Sequence, residues 1–261
     1  RFLGISNAQE IIDDGGTVED FTGDFEGRTG FKNDYQTYNL LLGWDYSTLD
    51  RPVFPNKGMS HTVDATIGLG DASYQKLVYR GNIYYPIYKD WVARGYTKLG
   101  YGNDLPFYEN FYAGGYGSVR GYKSSRLGPK SQSYNDAIND SVRYKDEKVG
   151  GNALVTFGTE LILPMPFKGD WADQVRPVLF AEGGQVFDTS DKEDRTFVNP
   201  GTGEDTGVPL LTQDNEFRFS AGAGVTWYTP IGPISLSYAV PFGDKEGDET
   251  EKVQFQIGNT F

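Results

Sequence analysis

The sequence contains no cysteine, and only two methionines and one histidine among its 261 residues. The absence of cysteine excludes disulfides and thiolate metal sites. His61 is the single histidine, so any serine–histidine pair or histidine-based metal site would have to include it, and no G-x-S-x-G motif surrounds a serine. We therefore expect no enzyme, no metal site and no cofactor, and we interpret His61 as a polar residue at the start of a strand.

The sequence also lacks an apolar run of about 18 residues that could cross a bilayer as a helix. A transmembrane β-barrel stays compatible with the low mean hydropathy of −0.51, because its strands alternate lipid-facing and lumen-facing side chains. Basic clusters are absent as well, and the net charge is −12, which argues against binding to a nucleic acid. The acidic segment 188–194 does not have the spacing of an EF-hand, so we interpret it as a solvated loop.

Aromatic residues and glycine are abundant, with 18 tyrosines, 17 phenylalanines and 34 glycines, as in an aromatic-rich all-β chain. Apolar residues recur with period two, which predicts strands with one apolar and one polar face. About nine segments show this pattern, plus a strand remnant at "RFLGIS": YNLLLGWDY, TVDATIGLG, KLVYRGNIYYPI, WVARGYTKLGYG, NALVTFGTELIL, VRPVLFAEGGQVF, FRFSAGAGVTW, GPISLSYAV and KVQFQIGNTF.

Several of these strands approach the roughly 9–11 residues that cross a bilayer obliquely. Aromatic residues cluster at strand ends, as at Trp44, Trp91 and Trp227, where interfacial girdles lie in membrane barrels. Short turns alternate with long polar loops, which is also typical of such barrels. The alternative is a soluble β-sandwich binding module whose core holds the aromatic residues. The strand lengths favour the transmembrane antiparallel β-barrel.

The longest connection, about 104–150, is rich in glycine and tyrosine and contains Arg120 between Val119 and Gly121. Its motif "FYENFYAGGYGSVRGYKSSRLGPK", with "GGNALVTFGTELILPMP", "GPISLSYAVPF" and the terminal "FQIGNTF", closely resembles the carboxyl-terminal barrel of the BamA family of outer-membrane assembly factors. The resemblance runs from about Tyr35 to the end of the chain. It implies that this loop folds back into the barrel lumen.

The resemblance also implies a tether motif in that loop, formed by Val119, Arg120, Gly121 and Tyr122. The arginine of this motif engages acidic residues on the inner wall, which by motif position are Glu160 and Glu182. The period of two agrees, because it places both carboxylates on the polar face of their strands. A guanidinium can bind a carboxylate bidentately and stack on a ring such as Phe180 or Tyr122. A solvated loop arginine is the plainer alternative.

The carboxyl-terminal strand places Val253, Phe255, Ile257 and Phe261 on one face and ends on an aromatic residue. This pattern resembles the recognition signal of outer-membrane strands, although an ordinary amphipathic strand would look similar. Gly258 interrupts that face where the family's last strand kinks inward at the seam with the first strand. A glycine there equally fits a β-bulge, so both interpretations stay open.

The resemblance implies an insertase of the bacterial outer membrane, which folds and inserts β-barrel proteins without nucleotide hydrolysis, by strand templating and local bilayer destabilisation. The implied partners are unfolded barrel substrates, accessory lipoproteins of the assembly complex and outer-membrane lipid. The family barrel has sixteen strands and follows POTRA domains. We therefore expect 1–261 to be the carboxyl-terminal part of such a barrel, incomplete with about nine to ten strands and without POTRA domains. The alternative is a related two-partner secretion or TamA-like translocation pore.

Overall fold

The computed structural model describes residues 36–131, 147–165, 174–189, 196–198, 205–209, 211–213, 215–230, 232–245 and 247–258. These residues form strands and one short 3-10 helix, Phe107–Glu109. The strands are, in chain order, β1 (Thr37–Ser47), β2 (Gly58–Gly70), β3 (Tyr74–Tyr88), β4 (Trp91–Asn103), β5 (Gly121–Tyr122), β6 (Lys130–Ser131), β7 (Glu147–Lys148), β8 (Ala153–Ile162), β9 (Val175–Phe187), β10 (Thr196–Val198), β11 (Asp205–Pro209), β12 (Leu211–Thr212), β13 (Arg218–Thr229), β14 (Gly232–Phe242), β15 (Thr250–Glu251) and β16 (Val253–Ile257). Within the described ranges, no helix has the length and apolar character needed to span a membrane.

Nine strands form one antiparallel sheet in the order β1-β2-β3-β4-β8-β9-β13-β14-β16. They coincide with the nine segments that period two predicted, so the all-β antiparallel fold is confirmed. Only β1 and β16 lie at the edges, and they do not pair with each other in the part of the chain that the structure describes. The predicted remnant at "RFLGIS" lies outside the described residues.

The two faces of the sheet differ as the alternation predicts. On β16, Val253, Phe255 and Ile257 are 59–62% exposed, whereas Gln254 between them is 5% exposed. Strands β8, β9 and β14 repeat this difference, with large apolar side chains on an outer face and buried polar side chains such as Thr156, Glu182 and Ser237 on an inner face. An apolar outer face and a polar inner face are what a barrel wall between lipid and lumen requires.

Connecting segments cover the inner face from both ends. The residues after β4 fold back against it, and a cluster of buried side chains that includes Phe111, Val119, Leu127, Leu154 and Val186 joins them to the wall. From another direction, the loop between β1 and β2 reaches β9, where Arg176 donates hydrogen bonds to the Phe54 carbonyl (2.7 Å) and the Asn56 side chain (2.8 Å). The inner face is therefore occupied by polypeptide as well as by side chains of the wall.

Candidate functional site

The segment that follows β4 is held against the inner face by its own turns. Ala113 bridges to Leu127, and several glycines between them adopt positive φ, among them Gly114, Gly115 and Gly117. At Gly121, φ is +91° and an added Cβ would lie 3.2 Å from the Cβ of Ala239 on β14. Only glycine combines this backbone conformation with so close an approach, so the segment can lie flat against β14 at this point. We call residues 104–131 the inner loop.

Arg120 lies at the centre of the contact between the inner loop and the wall, and its side chain is 2% exposed. Its Nη2 is 2.7 Å from Glu160 Oε1, and its Nε donates to Glu182 Oε1 at 2.9 Å. The backbone N–H of Arg120 donates to the other oxygen of Glu182 at 2.7 Å. The guanidinium lies over the ring of Phe180, 3.5 Å from its centroid. One side chain of the loop thus binds β8 and β9 together.

A second arginine completes this buried cluster. Arg94 on β4 donates to Glu160 Oε2 at 2.9 Å and to Asn82 Oδ1 at 2.7 Å, and its guanidinium lies over the Tyr96 ring. The Tyr96 hydroxyl donates to Glu182. Two arginines therefore face two glutamates, and this balance of charge and hydrogen bonds is the condition under which ionised groups are tolerated in a buried site.

Electrostatics keeps Arg120 charged in this setting. Burial by itself lowers the pKa of the guanidinium, but the negative charges of Glu182 and Glu160 outweigh burial and hold the pKa above the usual arginine range. The arginine is therefore a permanent cation and does not exchange protons. Such a group can bind and orient its neighbours, but it cannot act as a general acid or base near neutral pH.

Tyr122 anchors the next part of the inner loop beside the carboxyl-terminal strands. Its side chain is fully buried, and its hydroxyl lies 3.3 Å from the carbonyl oxygens of both Phe219 and Phe242. Burial raises the pKa of this hydroxyl to about 12, so it remains a neutral donor at physiological pH. The Tyr122 carbonyl in turn accepts a hydrogen bond from Gln254 Nε2 at 2.7 Å.

The hairpin loop between β14 and β16 closes over the same part of the inner loop. Its strand β15 pairs with β5 of the inner loop, and Lys123 N donates to the Glu249 carbonyl at 2.8 Å. The Glu249 carboxylate forms ion pairs with Lys123 (2.8 Å) and Arg126 (3.4 Å). At its base, Asp248 forms a buried ion pair with Arg218 of β13 at 2.5 Å. We call residues 243–252 the terminal hairpin loop.

The structure brings together most of the residues that the sequence singled out. Arg120, Glu160, Glu182 and Phe180 are in direct contact, whereas Val119 packs in the neighbouring apolar cluster. The ring stacked on the guanidinium is that of Phe180, and Tyr116 lies second at 5.2 Å; Tyr122 instead binds backbone carbonyls of β13 and β14. Sequence reasoning missed Arg94 and Tyr96, although the alternation in "WVARGYTKLGYG" places both on the polar face.

The predicted features of the terminal strand lie apart from the arginine cluster. Phe255 and Ile257 project from the outer face. Gly258 directly follows the last described strand, with φ +88°, and donates its N–H to the Pro233 carbonyl at 2.8 Å. Phe261 lies outside the described residues. The interpretations of Gly258 as a kink or a bulge at a seam remain predictions.

An antiparallel sheet with an apolar outer face, and with a loop held in its polar interior, defines an outer-membrane β-barrel protein. Residues 6–261 match the model of the Omp85 superfamily domain. The chain is 35% identical over 240 residues to the outer membrane protein assembly factor BamA of Neisseria meningitidis serogroup B, covering 86% of this chain and 29% of that protein. It is 30% identical over 158 residues to the sorting and assembly machinery component 50 homolog A of Xenopus laevis, covering 59% of this chain and 29% of that protein.

Among solved structures, the chain resembles a crystal structure of BamA from Haemophilus ducreyi that lacks POTRA domains 1–3, with a TM-score of 0.72 and 30% identity. The match covers 92% of this chain and 46% of that one. The chain belongs to the Omp85 superfamily, and its similarity to BamA places it in the bacterial outer membrane. It spans less than a third of the length of the curated relatives that it matches.

Proposed function

We propose that the chain is the carboxyl-terminal part of the barrel of an outer-membrane assembly factor, which folds and inserts other β-barrel proteins. The family and the similarity to two kinds of assembly protein support this proposal. In this proposal the whole of 1–261 belongs to the barrel domain. The substrates are unfolded outer-membrane barrel proteins, and accessory lipoproteins and outer-membrane lipid are the further partners. The work requires no catalytic residue and no nucleotide.

The pairing of the last strand carries the proposal. Neighbouring strands elsewhere in the sheet pair over 10 to 13 residues, whereas among the described residues β16 pairs with β14 over five, from Val253 to Ile257, with one further backbone hydrogen bond at Lys252 and one at Gly258. Just before β16, Thr250 and Glu251 leave the sheet and pair with Tyr122 and Gly121 of the inner loop. Over the described residues, fewer ladder hydrogen bonds hold this strand than hold the other long strands of the sheet. Within the proposal, this weakly held strand borders the seam at which the barrel opens.

An open seam exposes backbone N–H and C=O groups to hydrocarbon, which is costly unless another strand pairs with them. A substrate strand can supply that pairing by adding to the exposed edge. Among the described residues, the outer face of β16 carries the apolar side chains of Val253, Phe255 and Ile257, over a short span. A short apolar belt favours local thinning of the bilayer, which lowers the barrier to insertion beside this strand.

The inner loop has a positioning role in this proposal. Arg120 fixes it to the middle of the wall through Glu160 and Glu182, and Tyr122 fixes it to the last strands. The loop therefore holds the wall in register while the terminal strand moves. The related translocation pores also carry such a loop, so the loop by itself does not separate the two functions, and the experiment below does.

The test is reconstitution of the intact protein, with all its domains, in liposomes. Urea-denatured barrel substrate is added, and folding is followed by heat-modifiable migration on gels, while ion conductance is recorded in parallel. An assembly factor accelerates substrate folding over empty liposomes and conducts little. Conductance without accelerated folding would overturn the proposal and support a pore.

A further inference from the structure

The outer face of the sheet carries a groove at a place where several neighbouring strands present small residues. On β3, β4, β8 and β9, register places Gly81 beside Thr97, Gly95 beside Thr159, and Thr159 beside Ala181. These five residues form the floor of a depression with a volume of about 600 Å³. Most of the outward-facing positions around them hold large side chains, so the depression forms because these five residues are smaller than their neighbours.

Large apolar side chains border the depression on two sides. Met59, Tyr79 and Ile83 stand at one side, and Phe157, Phe219 and Phe242 at the other. Phe219 stacks on Phe242 and packs against Phe157 with its edge. Gly183 lets these rings lie low, because a Cβ there would come within 2.7 Å of the Phe219 ring. We call this depression the outer groove.

Some of the polar side chains of the outer groove have hydrogen-bond partners within the protein. His61 Nδ1 and the Tyr79 hydroxyl form a hydrogen bond with each other at 2.7 Å, and the Thr97 hydroxyl donates to the Thr156 carbonyl at 3.0 Å. The prediction that His61 is a polar residue at the strand start is refined accordingly: it is the fourth residue of β2, and its ring lies between those of Tyr46 and Tyr79. The large side chains that border the groove are mainly apolar, which favours an occupant without hydrogen-bonding groups.

We propose that the outer groove is a binding site for one acyl chain of an outer-membrane phospholipid. The outer face of this chain lies in hydrocarbon, so the molecules that reach the groove are lipids or membrane segments of other proteins. A membrane-spanning helix is about 10 Å wide and 30 Å long, which far exceeds a depression of about 600 Å³. A volume in this range instead fits a ligand of small-molecule size.

The physical basis of the preference is packing and not the hydrophobic effect, since lipid surrounds the wall on all sides. An acyl chain that lies in the groove contacts the floor and the ring edges at once, whereas a chain on a convex part of the wall contacts one row of side chains. Dispersion contacts are small individually but add up along a chain. The bound chain is therefore held longer than the lipids around it. The site is independent of the proposed assembly activity.

The experiment uses the intact protein in vesicles of phosphatidylethanolamine and phosphatidylglycerol that contain a phospholipid with a diazirine on its acyl chain. After illumination, labelled peptides are identified by mass spectrometry. We expect labelling to concentrate on the peptides that carry Gly95 to Thr97, Thr159 and Ala181. Filling the groove with Ala181→Leu should lower that labelling about fivefold or more, since the added side chain takes the place of the acyl contacts.

Ala223→Leu is the matched control, because Ala223 is an exposed alanine on the outer face of the next strand but does not line the groove. Its labelling pattern should equal that of the wild type. Heat-modifiable migration checks the folding of each variant, and Thr159→Leu replaces Ala181→Leu if the latter does not fold. Labelling spread evenly over the outer face, labelling unchanged in the filled variant, or cross-links to a polypeptide instead of lipid would each overturn the proposal.

Discussion

Arg120 and Glu182 are joined through both the backbone and the side chain of the arginine. Glu182 Oε2 accepts the Arg120 backbone N–H at 2.7 Å, and Oε1 accepts Nε at 2.9 Å. The two side chains are 2% and 1% exposed. Because the carboxylate binds the main chain as well, it fixes the position of the loop itself. A shift of the inner loop would break both bonds and leave a charge buried.

Replacing Arg120 should destabilise the protein strongly. Arg120→Ala leaves the two buried carboxylates with Arg94 as their remaining arginine. Removal of one partner of a buried ion pair lowers the free energy of unfolding by about 3–5 kcal/mol. Arg120→Lys should fall between alanine and the wild type, because an ammonium lacks the fork that reaches both acids. The measurement is the free energy of unfolding in urea. The control is Arg51→Ala, whose side chain is 49% exposed; an equal effect of both alanine variants would contradict the prediction.

The two carboxylates should not be equivalent. In Glu182→Gln one of the two carboxylate oxygens is replaced by an amide nitrogen, so either the backbone N–H or the Nε of Arg120 loses its hydrogen-bond acceptor. Loss of a hydrogen bond that involves a charged group lowers the stability by about 1.5–3 kcal/mol. Glu160→Gln leaves the Arg120–Glu182 contact in place and should have a smaller effect. We expect trypsin to cleave at Lys123 or Arg126 faster in Glu182→Gln than in Glu160→Gln. Since both changes convert a buried carboxylate to an amide, each serves as the control for the other, and the reverse order would refute the assignment.

Tyr122 should contribute to alkaline sensitivity. In the folded protein, burial raises its pKa from the ordinary tyrosine value of 10.0 to about 12. The folded state therefore retains a proton that the unfolded state loses, so this contribution to stability is present below about pH 10 and is lost as the pH rises through about 12. Tyr122→Phe should cost about 0.5–1.5 kcal/mol at neutral pH and should flatten the decline between pH 10 and 12. An unchanged alkaline decline in unfolding experiments would count against this role.

The contact between the inner loop and the terminal hairpin loop should weaken in acid. The hydrogen bond from Lys123 lowers the pKa of Glu249 below the ordinary glutamate value of 4.5. The stabilisation is therefore present above about pH 4.5 and is lost as the pH falls through the lowered folded value. Glu249→Gln should lack this contribution at every pH, whereas Glu251→Gln, an exposed neighbour, should behave like the wild type. Proteolysis next to Lys123 across this pH range measures the effect.

Gln254 should link the terminal strand to the inner loop. Its side chain is 5% exposed and donates to the Tyr122 carbonyl at 2.7 Å, whereas Gln256 bonds locally, to Gly258, at 3.5 Å. Loss of one such hydrogen bond is worth about 1 kcal/mol, or about a fivefold change in an equilibrium. The link is measured by the yield of a disulfide between cysteines introduced by Lys123→Cys and Glu249→Cys. Adding Gln254→Ala to this pair should lower the yield by that factor. Gln256→Ala is the control, and equal yields in both would exclude the link.

The sequence alone determined the strands, the faces and the centre of the site. Alternation with period two is a local property, so it identified the nine strands of the sheet and placed Glu160, Glu182 and Phe180 on the inner face. The family motif then identified Arg120 as the residue that faces them. The same alternation already placed Arg94 on the inner face, but nothing in its segment indicates which of several inner residues it contacts.

Only the tertiary structure decided how the segments between strands are arranged. The pairing of Tyr122 with Thr250, the ion pair of Arg218 with Asp248 and the reach of Arg176 to Phe54 join residues that are 30 to 128 positions apart. Such contacts depend on where loops fold back in space, and loop conformations follow no period that a sequence displays. The outer groove arose in the same way, since small residues on four strands form a depression only when the register of the sheet aligns them.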